Sequence, residues 1–214
     1  MDERARITVI AGVNGAGKSS VVGEALRQRG GEYFNPDEVT PRFRAASRSM
    51  TLEDANARAW AEGKRRLEDA IREKADFVFE TTLGGATITE LLSRALDEGL
   101  EVAVFYVGLE KVELHLERVR SRVKAGGHDI PENKIRERYT SSIKNLVKLA
   151  PRLTELRVFD NSVEADPKTG AAPAPREIIH CEGGRVTSHC ELALCPDWAK
   201  PVLAVLLRGA EPAQ

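Results

Sequence analysis

Residues 12–19 read Gly-Val-Asn-Gly-Ala-Gly-Lys-Ser, which matches the phosphate-binding pattern G-x-x-x-x-G-K-[ST], the Walker A motif. An apolar, β-rich run precedes this loop at 6–11, and a helical pattern follows from residue 18 to about 29. Lys18 can bring a cation to the β- and γ-phosphates, and the Ser19 hydroxyl can bind Mg²⁺. The motif therefore predicts ATP or GTP binding. The predicted nucleotide contacts are Gly12, Asn14, Gly15, Ala16, Gly17, Lys18, Ser19 and Ser20.

A carboxylate, Asp37, follows the next β-type segment at 32–35. At the carboxyl end of a strand in an α/β fold it could accept the proton of an attacking hydroxyl group, as a general base does. The residue physics supports a second interpretation equally well, because Asp often caps a helix and one could begin at Glu38.

Glu80 ends the apolar run 77–79. A carboxylate there can hold Mg²⁺ together with Ser19, or it can bind a substrate hydroxyl. The following Thr81 and Thr82 could add hydroxyl contacts to the substrate. The alternative is a polar residue at a strand exit, but an unpaired carboxylate beside a buried strand is costly, which favours a functional role.

A basic stretch runs from residue 111 to 148, with ten Lys or Arg against five Asp or Glu in a chain whose net charge is −1. This stretch consists of a helix, a Gly-Gly break and a second helix, and both helices contain arginines. The pattern is typical of a kinase lid that closes over a triphosphate. We expect two of the five arginines to contact the transferring phosphoryl group, and the candidates are Arg118, Arg122 and Arg138. Arg120 and Arg136 are expected to face solvent. The alternative is that all five arginines lie on solvated faces.

Strand patterns alternate with helix patterns along the chain, which predicts a parallel sheet with helices on both faces. The predicted strands lie at 6–11, 32–35, 77–79, 102–107 and 156–159. The expected fold is a three-layer α/β/α P-loop kinase with a mostly parallel five-stranded sheet, a helical lid, and a small C-terminal β-hairpin and helix. We expect a kinase domain at 1–162, with the lid at about 118–138, and a linker, hairpin and helix at 163–214 packed on it.

The composition argues against nucleic-acid binding and membrane association. A net charge of −1 gives no global attraction to nucleic acid or an anionic membrane, and 5% aromatic residues offer little stacking surface for single strands. No apolar run approaches the roughly 20 residues that span a bilayer. The N-terminus lacks a signal-peptide pattern, so a cytoplasmic location is expected.

Three cysteines argue against a disulfide framework, because their number is odd. Together with two histidines they form a cluster near the C-terminus. Its members are His180, Cys181, His189, Cys190 and Cys195. A zinc site is possible chemically, but the spacing matches no standard zinc pattern, and incidental positions on a hairpin are the favoured interpretation.

Taken together, these motifs resemble the zeta-toxin family of P-loop kinases in its short bacterial form. The resemblance covers about residues 6–162. It rests on Gly12–Ser19, Asn35–Glu38, Phe79–Leu83, Arg118–Val123, Gly126–Pro131, Arg138–Tyr139 and Val158–Ser162.

The resemblance implies a kinase that phosphorylates the 3′-hydroxyl of the amino sugar in UDP-N-acetylglucosamine, and an antitoxin that blocks the nucleotide site. Residue by residue, Lys18 and Ser19 match the P-loop pair, Asp37 the base and Glu80 the substrate-site glutamate. Arg118 or Arg122 matches the first lid arginine.

Three departures put the sugar-nucleotide acceptor in question more than the kinase chemistry. The second lid arginine has no clear counterpart, since Gly-Gly-His-Asp stands there and Arg138 lies farther on. Residues 41–51 do not match the sugar-binding segment of the long toxins, and the C-terminal hairpin is extra.

The sequence thus predicts a phosphotransferase with ATP–Mg²⁺ as donor and a hydroxyl of a small molecule, foremost a UDP-amino sugar, as acceptor. Alternatives are a kinase of another metabolite or of a nucleic-acid 5′-hydroxyl, and a non-catalytic, nucleotide-dependent regulatory protein.

Overall fold

The computed structural model describes residues 4–23, 33–46, 49–127, 129–163 and 174–209. The described strands form one sheet in the order β2-β1-β3-β4-β5-β6. Their ranges are β1 Arg6–Ala11, β2 Phe77–Thr81, β3 Glu101–Gly108, β4 Glu155–Asp160, β5 Arg176–Glu182 and β6 Arg185–His189. The first four strands pair in parallel and the last two are antiparallel, so the sheet is mostly parallel, as predicted.

The helices that connect the parallel strands are α1 Pro36–Ala46, α2 Leu52–Glu73, α3 Ala86–Asp97, α4 Val112–Lys124 and α5 Glu132–Leu149. A further helix, α6 Lys200–Gly209, follows β6. The boundaries follow ordinary signals: Pro36 occupies the first position of α1, and the Thr51 hydroxyl caps α2 by accepting a hydrogen bond from Asp54 N at 3.0 Å. None of the described helices is long and apolar enough to cross a bilayer.

The main hydrophobic core lies between one face of the sheet and helices α2, α3, α5 and α6. It includes Ile7 and Val9 of β1, Leu67 of α2, Leu92 of α3 and Leu146 of α5, each with no exposed surface. A smaller cluster on the other face contains Ile10 and Val107 with residues 16, 21 and 22 of the segment after β1. The sheet is therefore covered on both faces, which makes its strands read as continuous apolar runs.

Two helices of the basic stretch, α4 and α5, share a third hydrophobic cluster with the P-loop. Leu116 and Val119 of α4 meet Ile130 and Ile135, and all four pack with Val13. This cluster fixes the predicted lid directly to the loop beneath it.

The structure differs from the sequence-based expectation in its strand set. Of the segment predicted as a strand at 32–35, only Phe34 pairs, through an isolated parallel bridge to Phe79, and residue 32 lies outside the described part. The C-terminal hairpin, β5 and β6, instead extends the sheet by pairing with β4. The hairpin covers what would otherwise be an open edge of hydrogen-bonding groups.

The predicted helix after the P-loop is present as a π-helical turn at Ser19–Gly23, and its continuation to residue 29 lies outside the described residues. Most of the predicted linker, residues 164–173, does so too. The division into units at 1–162 and 163–214 remains a prediction.

Candidate active site

The P-loop joins the carboxyl end of β1 to the turn at 19–23. Gly12 and Gly17 have φ values of 138° and 91°. A Cβ on Gly12 would lie 2.2 Å from the carbonyl oxygen of Val107, and one on Gly17 would lie 2.5 Å from Nδ2 of Asn161. That amide donates a hydrogen bond to the carbonyl of Ala16 at 2.8 Å. Only glycine fits these two positions, and the resulting loop has the shape of an anion cradle at a helix start.

A buried polar cluster lies beside the loop. Lys18 and Glu80 are each 6% exposed, and Lys18 Nζ is 3.4 Å from Glu80 Oε1. Ser19 Oγ donates to Glu80 Oε2 at 2.9 Å, and Asn35 Nδ2 donates to the same oxygen at 3.3 Å. The parallel register of β1 and β2 brings Glu80 opposite Ile10, next to the start of the loop. Glu80 is thus a buried carboxylate near the end of β2, and its partners are Lys18, Ser19 and Asn35.

Asp37 lies in the first turn of α1. Asn35 supplies the capping oxygen, since Asn35 Oδ1 accepts a hydrogen bond from Asp37 N at 3.0 Å. The alternative in which Asp37 caps a helix at Glu38 is therefore wrong, because the helix begins at Pro36. The Asp37 carboxylate instead faces the lid, with Oδ2 3.5 Å from an Nη of Arg122.

Two cavities adjoin this cluster. The first, of about 890 Å³, is lined by the P-loop, by Arg118 and Arg122 of α4 and by Asn161 after β4. The second, of about 430 Å³, lies between α1, α2, the exit of β2 and α5. The two cavities share four lining residues: Asn14, Lys18, Asp37 and Glu80. These four residues form the boundary that the two cavities share.

Most of the predicted nucleotide contacts line the first cavity. They are Asn14, Gly15, Gly17, Lys18, Ser19 and Ser20. Gly12 and Ala16 do not line it, and Ala16 has no exposed surface. Gly12 and Ala16 contribute backbone to the P-loop on the side away from the cavity.

Thr81 and Thr82, the predicted substrate contacts, line the second cavity. Leu83 behind them has a left-handed φ of 56°, which is strained for a branched side chain. Two side chains of α5 stabilise this turn. Ser142 Oγ donates to the carbonyl of Thr82 at 2.7 Å, and Asn145 Nδ2 donates to that of Leu83 at 2.8 Å. These bonds fix the backbone of the turn that follows β2 to α5.

The predicted lid arginines divide into two groups. Arg118 donates to the carbonyl of Asn161 at 2.9 Å, Arg122 pairs with Asp37, and Arg138 donates to Asn14 Oδ1 at 2.9 Å. The other two point outwards: Arg120 is 3.1 Å from Glu132, and Arg136 pairs with the same carboxylate and with Glu113. Neither Arg120 nor Arg136 lines either cavity.

His115 of α4 lies beneath the P-loop and is 1% exposed. Its Nδ1 is 2.9 Å from the carbonyl oxygen of Asn14, so that nitrogen carries the proton and donates, and its ring packs edge-on against Tyr139. Burial, reinforced by the charges of Lys18 and Arg118, lowers the pKa of His115 to about 4. His115 is therefore a neutral donor that fixes the loop.

The C-terminal histidines and cysteines do not form an evident metal site. Among the described residues, no group of three or more His, Cys, Asp or Glu side chains is placed to hold a metal ion. Cys181 and Cys195 are buried free thiols, and burial raises the pKa of both. His180 lies beside Glu182, 3.4 Å away, and His189 is exposed.

Sequence reasoning assigned no role to several residues that build the site: Asn35, His115, Ser142, Asn145 and Asn161. For Asn35 a signal existed, since Asn before Pro is a common helix start. The others act through side-chain contacts between residues at least 60 positions apart, which single-sequence patterns do not reveal.

A strand–P-loop unit, a mostly parallel sheet and a lid above two adjoining cavities define a P-loop kinase fold. The model of the zeta toxin family matches residues 1–166 of this chain. The chain therefore belongs to the zeta toxin family.

Three of the proteins that are similar to this chain illustrate the relationship. An uncharacterized protein of Haemophilus influenzae is 32% identical over 133 residues, which are 60% of this chain and 88% of the relative. A crystal structure of AvrRxo1-ORF1:-ORF2 with ATP superposes with a TM-score of 0.64 at 15% identity, over 99% of this chain and 66% of that chain. The chromosomal PezAT toxin–antitoxin system of Streptococcus pneumoniae gives a TM-score of 0.57 at 12% identity, over 98% and 86%. At these identities the two structures show the shared fold.

Proposed function

We propose that the protein is an ATP-dependent kinase that transfers the γ-phosphoryl group to a hydroxyl of a small molecule. One observation carries this proposal: Lys18, Asp37 and Glu80 line both cavities. A donor in the first cavity and an acceptor in the second would then face each other across a cation and a candidate base. Membership of the zeta toxin family supports the same chemistry.

The residues fit ATP and Mg²⁺. The glycine cradle leaves no room for a Cβ, Lys18 brings a buried cation, and Ser19 with Glu80 offers the oxygen ligands that Mg²⁺ prefers. Ser19 and Glu80 would hold the ion, which would neutralise charge on the phosphates. Arg118 and Arg122 line the same cavity and would add positive charge from the lid.

The reaction then divides among this chain's own side chains. Asp37 accepts the proton of the acceptor hydroxyl while the hydroxyl oxygen forms the bond to the γ-phosphorus. Lys18 and the lid arginines stabilise the charge on the transferring group, while the bond to the β-phosphate oxygen breaks. Glu80, Thr81 and Thr82 orient the acceptor from the wall of the second cavity, and Arg138 approaches from the lid.

A UDP-amino sugar such as UDP-N-acetylglucosamine is the acceptor that we propose first. Its support is the family and the polar character of the second cavity, where threonine hydroxyls and carboxylates can bind sugar hydroxyls. Trp60 at the same cavity is 49% exposed and offers a flat surface to a ring. An antitoxin partner is proposed from the two structural neighbours, one described as an ORF1:ORF2 complex and one as a toxin–antitoxin system.

The test is incubation of the purified protein with γ-labelled ATP and a panel of acceptors, with products identified by mass spectrometry. The panel contains UDP-N-acetylglucosamine, other nucleotide sugars, nucleotides and a 5′-hydroxyl oligonucleotide. Phosphorylation of the UDP-amino sugar that is lost in Lys18→Ala supports the full proposal. Preference for another acceptor would support the proposed kinase activity but replace the UDP-amino sugar as the acceptor. ATP binding without transfer to any acceptor would contradict the proposed kinase activity.

A further inference from the structure

Asn14 connects the P-loop to both helices of the lid. Asn14 is 6% exposed, and it lines both cavities. Its backbone carbonyl accepts the hydrogen bond of His115 from α4, and its side-chain oxygen accepts the hydrogen bond of Arg138 from α5. A single loop residue is thus bonded to partners 101 and 124 positions away in the sequence.

Arg138 is restricted on its other side. Its stem packs against the turn after β2, where a Cβ on Gly84 would lie 2.8 Å from Arg138 Cγ. Burial lowers the pKa of Arg138, and the charge of Asp37 acts on it in the opposite direction. The guanidinium therefore lies between the P-loop and the side of the acceptor cavity, within the electrostatic reach of the candidate base.

We infer that Asn14 is a positioning residue, whose side chain directs Arg138 to the junction of the donor and acceptor cavities. This inference rests on the proposed kinase function and adds a role to a P-loop position whose consensus leaves the residue type open. A freely rotating arginine has many rotamers, so a fixed hydrogen-bond acceptor that selects one of them lowers the cost of forming the transition state. Asn14 would then affect turnover through Arg138 and not mainly through affinity for ATP.

The experiment compares Asn14→Ala, Arg138→Ala and the double variant, with Arg120→Ala as a lid control that lines neither cavity. We expect Asn14→Ala to lower kcat about tenfold or more while KM for ATP changes by less than about threefold. The double variant should lose no more than Arg138→Ala alone, because both substitutions remove the same interaction. Asn14→Asp retains the acceptor oxygen and should recover most of kcat at saturating ATP.

Two outcomes would overturn the inference: losses that multiply in the double variant, or an Asn14→Ala variant that only raises KM for ATP. A urea-unfolding cycle of the same variants, without nucleotide, tests the Asn14–Arg138 contact independently of activity. Additive destabilisation there would also overturn it, whereas a double variant less destabilised than the sum supports it. If the wild-type protein phosphorylates no acceptor, the proposed function is contradicted. The unfolding cycle alone then tests whether Asn14 and Arg138 interact.

Discussion

Glu80→Gln tests the buried pair at the centre of the site. Lys18 and Glu80 have side chains that are 6% and 7% exposed, so solvent screens their attraction weakly. Glutamine keeps the shape and an oxygen that can accept from Ser19, but it leaves the Lys18 cation without its counter-charge. Removing one partner of a buried ion pair costs about 3–5 kcal/mol. We expect the low end, about 3 kcal/mol, because the hydrogen bonds to the oxygen can persist.

The same substitution should have the opposite effect on a ligand that brings negative charge. A phosphate in the P-loop gives Lys18 a new partner, and the repulsion between Glu80 and that phosphate is gone. If binding recovers half of the lost free energy, about 1.5 kcal/mol, the variant binds ATP about tenfold more tightly than the wild type when Mg²⁺ is removed with EDTA. With Mg²⁺ present, transfer should instead fall, because the carboxylate ligand is missing.

The assay is urea unfolding in EDTA, with and without ATP, alongside direct ATP titration. Glu117→Gln removes an exposed carboxylate of α4 and is the matched control, expected to change stability by less than about 0.5 kcal/mol. An unchanged free energy of unfolding in Glu80→Gln would refute the uncompensated-charge argument. Equal ATP affinity of variant and wild type in EDTA would show that Glu80 and phosphate do not compete for Lys18.

Three further predictions follow from the site. Asp37→Asn should lower turnover by roughly 10²–10⁴ and stability by less than about 1 kcal/mol, because its ion pair with Arg122 is partly exposed; rates measured beside thermal melts would show a near-normal rate if Asp37 is not the base. Arg118→Ala and Arg122→Ala should lower kcat more than they weaken ATP binding, with Arg120→Ala unaffected, and salt-sensitive oligonucleotide binding with unchanged kinase rates would contradict the lid assignment. The folded-state pKa of His115 lies below its unfolded value, so the protein should lose stability as the pH falls from about 6.5 to about 4, by about 3 kcal/mol in total; His115→Gln should show a flatter pH dependence, and an equally steep one would exclude His115 as the source.

The sequence predicted the parts of the site that depend on local pattern. Gly12–Ser19 follows a strand by a short-range rule, and Glu80 ends an apolar run whose partner strand is β1. Since the carboxyl ends of parallel strands share one edge, the meeting of these two elements was predictable.

Contacts between distant side chains were not predictable. Asn14 and Arg138 are polar residues that could each have faced solvent, and no spacing rule joins positions 124 apart. The hairpin was recognisable from its Gly-Gly turn, but its pairing with β4 depends on the tertiary packing that leaves that edge open. The bridge at Phe34 shows the opposite case, in which a β-rich segment pairs at only one residue.

The hydrophobic cluster that joins α4 and α5 to Val13 has a consequence for how such proteins vary. Because loop and lid share a core, a lid transplanted from a relative would meet an unmatched side chain at position 13. A change in the loop would need compensation about a hundred residues later in the chain, at positions such as Leu116 or Ile135. Paired substitutions at these positions among relatives, rather than free exchange of lids, are the pattern of divergence that this architecture favours.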